Sequence, residues 1–125
     1  MTINRIAPEQ VKEAYEKTGL KPMQNGWFEI STKCACGLSA VLAAEKGIEW
    51  LESQFRLRRS RSYIASERLN LLPSYVTGFT SGFDGGVFFH SEGGTSALGY
   101  EDGKAAWEAV KHLAGGGEIL NERNR

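Results

Sequence analysis

The amino-acid sequence predicts a mainly helical domain of about five helices around a central Ala/Cys-rich helix, with at most one small two-stranded β ribbon. Three observations predict it. Apolar residues recur at helical spacing over most of the chain, most clearly in Tyr75, Gly78, Phe79, Gly82 and Phe83, which fall at i, i+3, i+4, i+7 and i+8. Helix punctuation accompanies that spacing, with Pro8 and Pro73 at starts and Gly19, Gly47 and Gly85 at stops. The strand-like runs, Trp27-Phe28-Glu29-Ile30 and Val87-Phe88-Phe89-His90, are short. With 125 residues, 41% of them hydrophobic, the chain can bury a core without disulfide or metal staples. The domain is expected to span residues 1–117, with 118–125 as a flexible tail.

The first helix starts at Pro8 and stops at Gly19. Its thin apolar face, Val11, Ala14 and Tyr15, describes a lid over a core. Lys-Pro and Asn-Gly turn signals fill residues 20–26, and the run 27–30 follows as a brief strand. Ser31 or Thr32 then offers an N-cap for a second helix that runs to Glu45 or Lys46. Cys34, Leu38, Val41 and Leu42 form one apolar stripe on it, and Cys36, Ala40, Ala43 and Ala44 form another. A helix apolar on two faces belongs in the middle of the core.

A third helix is expected over 49–57, since Ile48, Leu51 and Phe55 continue at helical spacing with Trp50 beside them. The charged stretch after it leaves Tyr63, Ile64 and Leu69 open to two readings, a short amphipathic turn or a loop. Pro73 opens the helix that Asp84-Gly85-Gly86 closes, and the run 87–90 is the expected partner of 27–30 in the ribbon. Such a ribbon would have to lie on the helices, because two strands alone are marginal in water. The last helix covers about Ser96 to Ala114, with Gly99, Gly103, Ala106, Trp107 and Val110 on one face, and Gly115-Gly116-Gly117 stops it.

Gly78 and Gly82 sit four residues apart within one predicted helix, and Gly99 and Gly103 do so within another. Each glycine forgoes about 1 kcal/mol relative to alanine in a helix interior. Their reading is close packing of the fourth and last helices against each other or against the alanine-rich side of the second. The echo Gly-aromatic-x-polar-Gly is too short to establish a repeat.

Fifteen Lys and Arg balance fifteen Asp and Glu, so no net field draws the molecule to nucleic acid or anionic lipid. No run reaches the ~20 apolar residues of a membrane span. Two cysteines one residue apart give no disulfide framework, and no leader opens the sequence, which predicts a cytoplasmic protein.

Four groups of residues invite a chemical reading. Cys34 in the first turn of the second helix, beside Lys33, would have a lowered pKa and act as a redox or nucleophilic thiol, with Cys36 as its neighbour. Packing on the apolar stripes competes with that reading and outweighs it. A zinc site would need both cysteines and both histidines, and the helix would turn the two sulfurs apart, so no metal and no cofactor is expected. His90 reads as a solvent-side histidine or as a base near Cys34, and His112 as a helix C-terminal charge. Arg56, Arg58, Arg59, Arg61 and Arg68, with Tyr63 and Trp50 near them, could grip phosphates and stack on a base. The glycine segments lack the Gly-Lys-Ser/Thr of a phosphate loop, Asp84 and Glu101-Asp102 read as turn and dipole chemistry, and no catalytic residue can be named.

Thirteen aromatic residues without catalytic apparatus make a non-enzymatic helical interaction module the leading expectation, with a second copy or another protein as partner. The alternatives are thiol chemistry at Cys34 and phosphate or nucleic-acid binding through Arg56 to Arg68.

Overall fold

The computed structural model describes residues 4–57, 61–86 and 94–114, with the backbone but not the side chain of Arg61. They form six α-helices, a three-stranded sheet of two-residue strands and a terminal 3-10 turn, Lys111–Leu113. The molecule is therefore mainly helical with a small β element, as the sequence predicts.

Helix α1, Pro8–Thr18, begins with proline in its first turn and ends at Gly19, whose φ of +78° closes the last turn through its N–H to Tyr15 O. It buries Val11, Ala14 and Tyr15 against helices α2 and α6. Strands β1, Lys21–Pro22, β2, Phe28–Glu29, and β3, Cys34–Ala35, make the sheet in the order β1-β3-β2. β3 pairs parallel with β1 and antiparallel with β2, setting Cys34 opposite Lys21 and Glu29.

This sheet has three strands where a two-stranded ribbon is expected, and it corrects the start of the second helix. The strand at 27–30 takes its partner from 34–35, and the run 87–90 lies outside the described residues. The second helix begins later than Ser31 or Thr32 allows. A turn closes from Lys33 N to Ile30 O at 3.2 Å, and Cys34-Ala35 is held between the other two strands. Helix α2 is thus Gly37–Lys46, with Cys36 as N-cap, its Sγ accepting from Ser39 N at 3.5 Å. Both cysteines lie outside the helix proper.

α2 is nonetheless central. Every residue from Gly37 to Ala43 is buried, and the helix touches each of the other five. Helix α3, Ile48–Arg56, follows after Gly47 and runs one residue ahead of its expected limits. The stretch left open between turn and loop is helix α4, Arg61–Arg68, which buries Ile64 and Ala65. Helix α5, Pro73–Phe83, matches its signals, and helix α6, Gly94–Val110, starts two residues early and gives way to the 3-10 turn before Ala114.

α5 and α6 are consecutive and run parallel at backbone contact. A Cβ built on Gly78 would collide with the carbonyl oxygen of Ser96 and lie 2.9 Å from Tyr100 N; on Gly82 it would meet Tyr100 O and Lys104 N. Gly99 faces Tyr75 O and Phe79 N, and Gly103 faces Phe79 O and Phe83 N. Each contact recurs 21 residues along the chain with the roles of the helices exchanged, so the pair has a local two-fold axis along its length. Ser74 and Thr95, also related by that offset, hydrogen-bond to each other through their hydroxyls. Glycine Cα–H groups aimed at carbonyl oxygens make weak hydrogen bonds of the kind seen where helices meet most closely. Tyr75, Phe79 and Phe83 form an aromatic column at 6.2 Å spacing beneath this contact, and Trp107 meets Phe83 edge-on at 5.4 Å.

Candidate functional site

α3 is the least covered helix of the core. Its sequence holds Ile48, Trp50, Leu51 and Phe55, of which Leu51 is fully buried and the other three are partly buried against the core. Leu57, next after it, is 61% exposed, the highest value among the large hydrophobic side chains described. β2 lies against the far end of α3, the rings of Phe28 and Phe55 meeting edge-on at 5.4 Å, and the chain passes from β2 into exposed Ile30. α4 adds exposed Tyr63, whose hydroxyl donates to Glu67 Oε2 at 3.0 Å. Exposed Leu57, Ile30 and Tyr63 thus flank a helix whose own apolar residues pack wholly or partly on the core.

Charge on this flank is ordered along the axis. Glu49 and Glu52 occupy the N-terminal half of α3, and Arg56 the C-terminal end, where it pairs with Glu52 at 3.5 Å. Arg68 of α4 lies over the Trp50 ring, 5.8 Å from its centroid, a distance at which the guanidinium gains from the ring quadrupole. A cleft of about 650 Å³ opens where α1 and α2 end and α3 begins, lined by Lys17, Lys46, Ala44, Ile48 and Trp50 among others.

Of the candidate arginines, the structure places Arg56 and Arg68 on α3 and α4. Arg58 and Arg59 lie outside the described residues, as does the Arg61 side chain. Arg56 and Arg68 are engaged with Glu52 and Trp50, so the described part of the cluster is a mixed surface and not a bare cationic stripe.

The thiols stand differently from the helical reading. Cys36 is buried, with Sγ 3.4 Å from Ser39 Oγ, and burial pushes its pKa up to about 11 against the hydrogen bonds from Ser39. A neutral, enclosed thiol is a packing group. Cys34 is half-buried on β3, its Sγ donating to Thr32 O at 3.7 Å, and has lost the helix-terminal position that would favour a thiolate. The two are i and i+2 along an extended segment, which puts their Cα atoms ~6.6 Å apart and their Cβ atoms well beyond disulfide reach. Among the described residues no three His, Cys, Asp or Glu side chains gather where they could hold a metal. His112 is exposed in the 3-10 turn, and His90 lies outside the described residues.

The four glycines meet at the α5–α6 contact, away from this flank. One polar cluster was invisible in the sequence. Arg5 forms a two-pronged ion pair with Asp102 at 2.8 and 2.9 Å; Tyr75 donates its hydroxyl proton to Asp102 and accepts from Ile6 N at 2.8 Å. It clamps the segment before α1 onto α5 and α6. Among the described residues no helix is long and apolar enough to cross a membrane. No family model, curated protein or solved structure matches the chain.

Proposed function

We propose that this protein is a non-enzymatic helical interaction module that self-associates through the outer flank of α3. The observation that supports the reading is that α3 leads directly into Leu57, 61% exposed, with exposed Ile30 after β2 and exposed Tyr63 on α4. Apolar and aromatic side chains edged by arginine are the composition of an interface centre. A second copy is the favoured partner because the flank is self-complementary. Two α3 helices packed antiparallel about a two-fold axis set Glu49 and Glu52 of one against Arg56 of the other. The chain's zero formal charge leaves no long-range repulsion to oppose that contact.

Size-exclusion chromatography with light scattering tests the reading. The expected result is a dimer at micromolar concentration that Leu57→Asp converts to monomer without loss of helical circular dichroism. A parent that stays monomeric, or a dimer unchanged by Leu57→Asp and by Arg56→Glu, overturns it.

A further inference from the structure

The turn between β1 and β2 contains the one Asn-Gly pair of the sequence, Asn25-Gly26, and its setting is chemically specific. The turn is pinned on both flanks: Met23 N donates to Ala35 O at 3.1 Å, and Cys36 N donates to Trp27 O at 2.9 Å. It is also tied to the end of α5, where Gln24 Nε2 donates to Phe83 O and Asn25 N donates to Asp84 Oδ1, both at 2.9 Å. Between those anchors Asn25 is exposed and left-handed, with φ of +62°. Among the described residues nothing takes up its carboxamide or the Gly26 N–H. Gly26 carries no side chain to shield its nitrogen, and a Cβ there would meet only the flexible end of Met23.

We infer that Asn25 is a site of spontaneous deamidation, which converts this turn into a carboxylate-bearing one and loosens its tie to α5. The Gly26 nitrogen gives its proton to a water-derived base and attacks Asn25 Cγ; the bond from Cγ to Nδ2 breaks as Nδ2 takes a proton back from that base's conjugate acid and leaves as ammonia. The five-membered imide so formed takes up one water, which opens it at either carbonyl. The products are an ordinary aspartyl residue in place of Asn25 or the isoaspartyl isomer, in which the chain runs through Cγ. Neither oxidant nor enzyme is required. Either product sets a second carboxylate beside Asp84, and the isomer also inserts one carbon into a backbone fixed at Met23 and Trp27. Asp84 is poorly placed to receive that charge, because burial already raises its pKa.

The test is to incubate the folded full-length chain in warm, mildly alkaline buffer and map its peptides by mass. The expected result is the mass gain of an acid replacing the amide at Asn25, faster at higher pH, with an isoaspartyl fraction. Asn70 is an internal control, since it shares the left-handed backbone at φ +55° but precedes Leu71, and it should remain amide. Gly26→Ala, checked for its fold by circular dichroism, should slow conversion roughly tenfold by crowding the attacking nitrogen. Asn25→Ser should show no mass gain, and Asn25→Asp should melt below the parent. A folded chain that keeps Asn25 intact while the urea-unfolded chain converts overturns the site. So does equal conversion at Asn70. An Asn25→Asp chain that melts with the parent overturns the loosening.

Discussion

Gly99 of α6 faces the carbonyl oxygen of Tyr75 on α5 so closely that no side chain fits between them, and Gly78 stands in the same relation to Ser96. An alanine at a helical glycine ordinarily gains about 1 kcal/mol. Here the atoms in the way are backbone, which cannot rotate aside.

Gly78→Ala and Gly103→Ala are therefore expected to destabilise the fold by about 1 to 3 kcal/mol or more, the usual cost of overpacking, despite their better helix propensity. Urea unfolding at equilibrium measures this. A variant as stable as the parent would contradict backbone contact between α5 and α6.

Tyr75→Phe keeps the aromatic column and removes one oxygen. The buried Ile6 N–H then has no acceptor and Asp102 loses a donor, an expected loss of about 1 to 3 kcal/mol. Amide exchange at Ile6 should rise with it. Unchanged stability would show that the segment before α1 is held without Tyr75, by the Arg5 ion pair, the Asn4 bond to Asn70 O and the burial of Ile6.

Acid should release the same clamp. Burial raises the Asp102 pKa, but hydrogen bonds from Arg5 and Tyr75 and the Arg5 charge outweigh it and leave a net value below the ordinary 3.8. A carboxyl depressed in the folded state stabilises the fold above its unfolded pKa, and that stability is lost as pH falls through the folded value. Unfolding titrations below about pH 4 should show a loss in the parent that Asp102→Asn, weaker at neutral pH, lacks.

Base should act on the core by the opposite sign. Burial raises the Cys36 pKa from 9.0 to about 11, and it raises Tyr15 and Tyr75 above their ordinary 10.0. The Tyr75 shift has burial as its largest cause, followed by its bond to Asp102. Groups that hold their protons more tightly when folded lose stability as pH rises past their unfolded values, so stability should fall from about pH 9 upward. Iodoacetamide under native conditions should modify half-buried Cys34 first and reach Cys36 only on unfolding. Early labelling of Cys36 would place its sulfur outside the core.

The helices were legible where the chain carries its own punctuation. Pro8 with Gly19, and Pro73 with Asp84-Gly85, mark α1 and α5 because proline and glycine act through local backbone sterics, which neighbours do not change. The glycine spacing was legible as a helix contact for the same reason. The sheet was not, because two-residue strands are too short to show a period of two, and Cys34-Ala35 is extended only through pairing on both edges. That missed sheet displaced the start of α2 and with it the environment assigned to both thiols. Arg5 and Asp102 are 97 residues apart, and no local signal connects them. The setting of α3 was partly legible, since Ile48, Leu51 and Phe55 form a stripe at i, i+3 and i+7 that packs on the core and Leu57 falls off it, but no local signal says that no other element covers Leu57.

The paired glycines of α5 and α6 also fix one helix against sliding along the other. A shift by one turn would keep one glycine of each pair in register and carry the other onto a residue with a Cβ, against a carbonyl that has no room for it. Shear, the small axial slip by which packed helices usually absorb strain, is thus closed to this pair. Any rearrangement of the domain must move α5 and α6 as one rigid body, or separate them altogether.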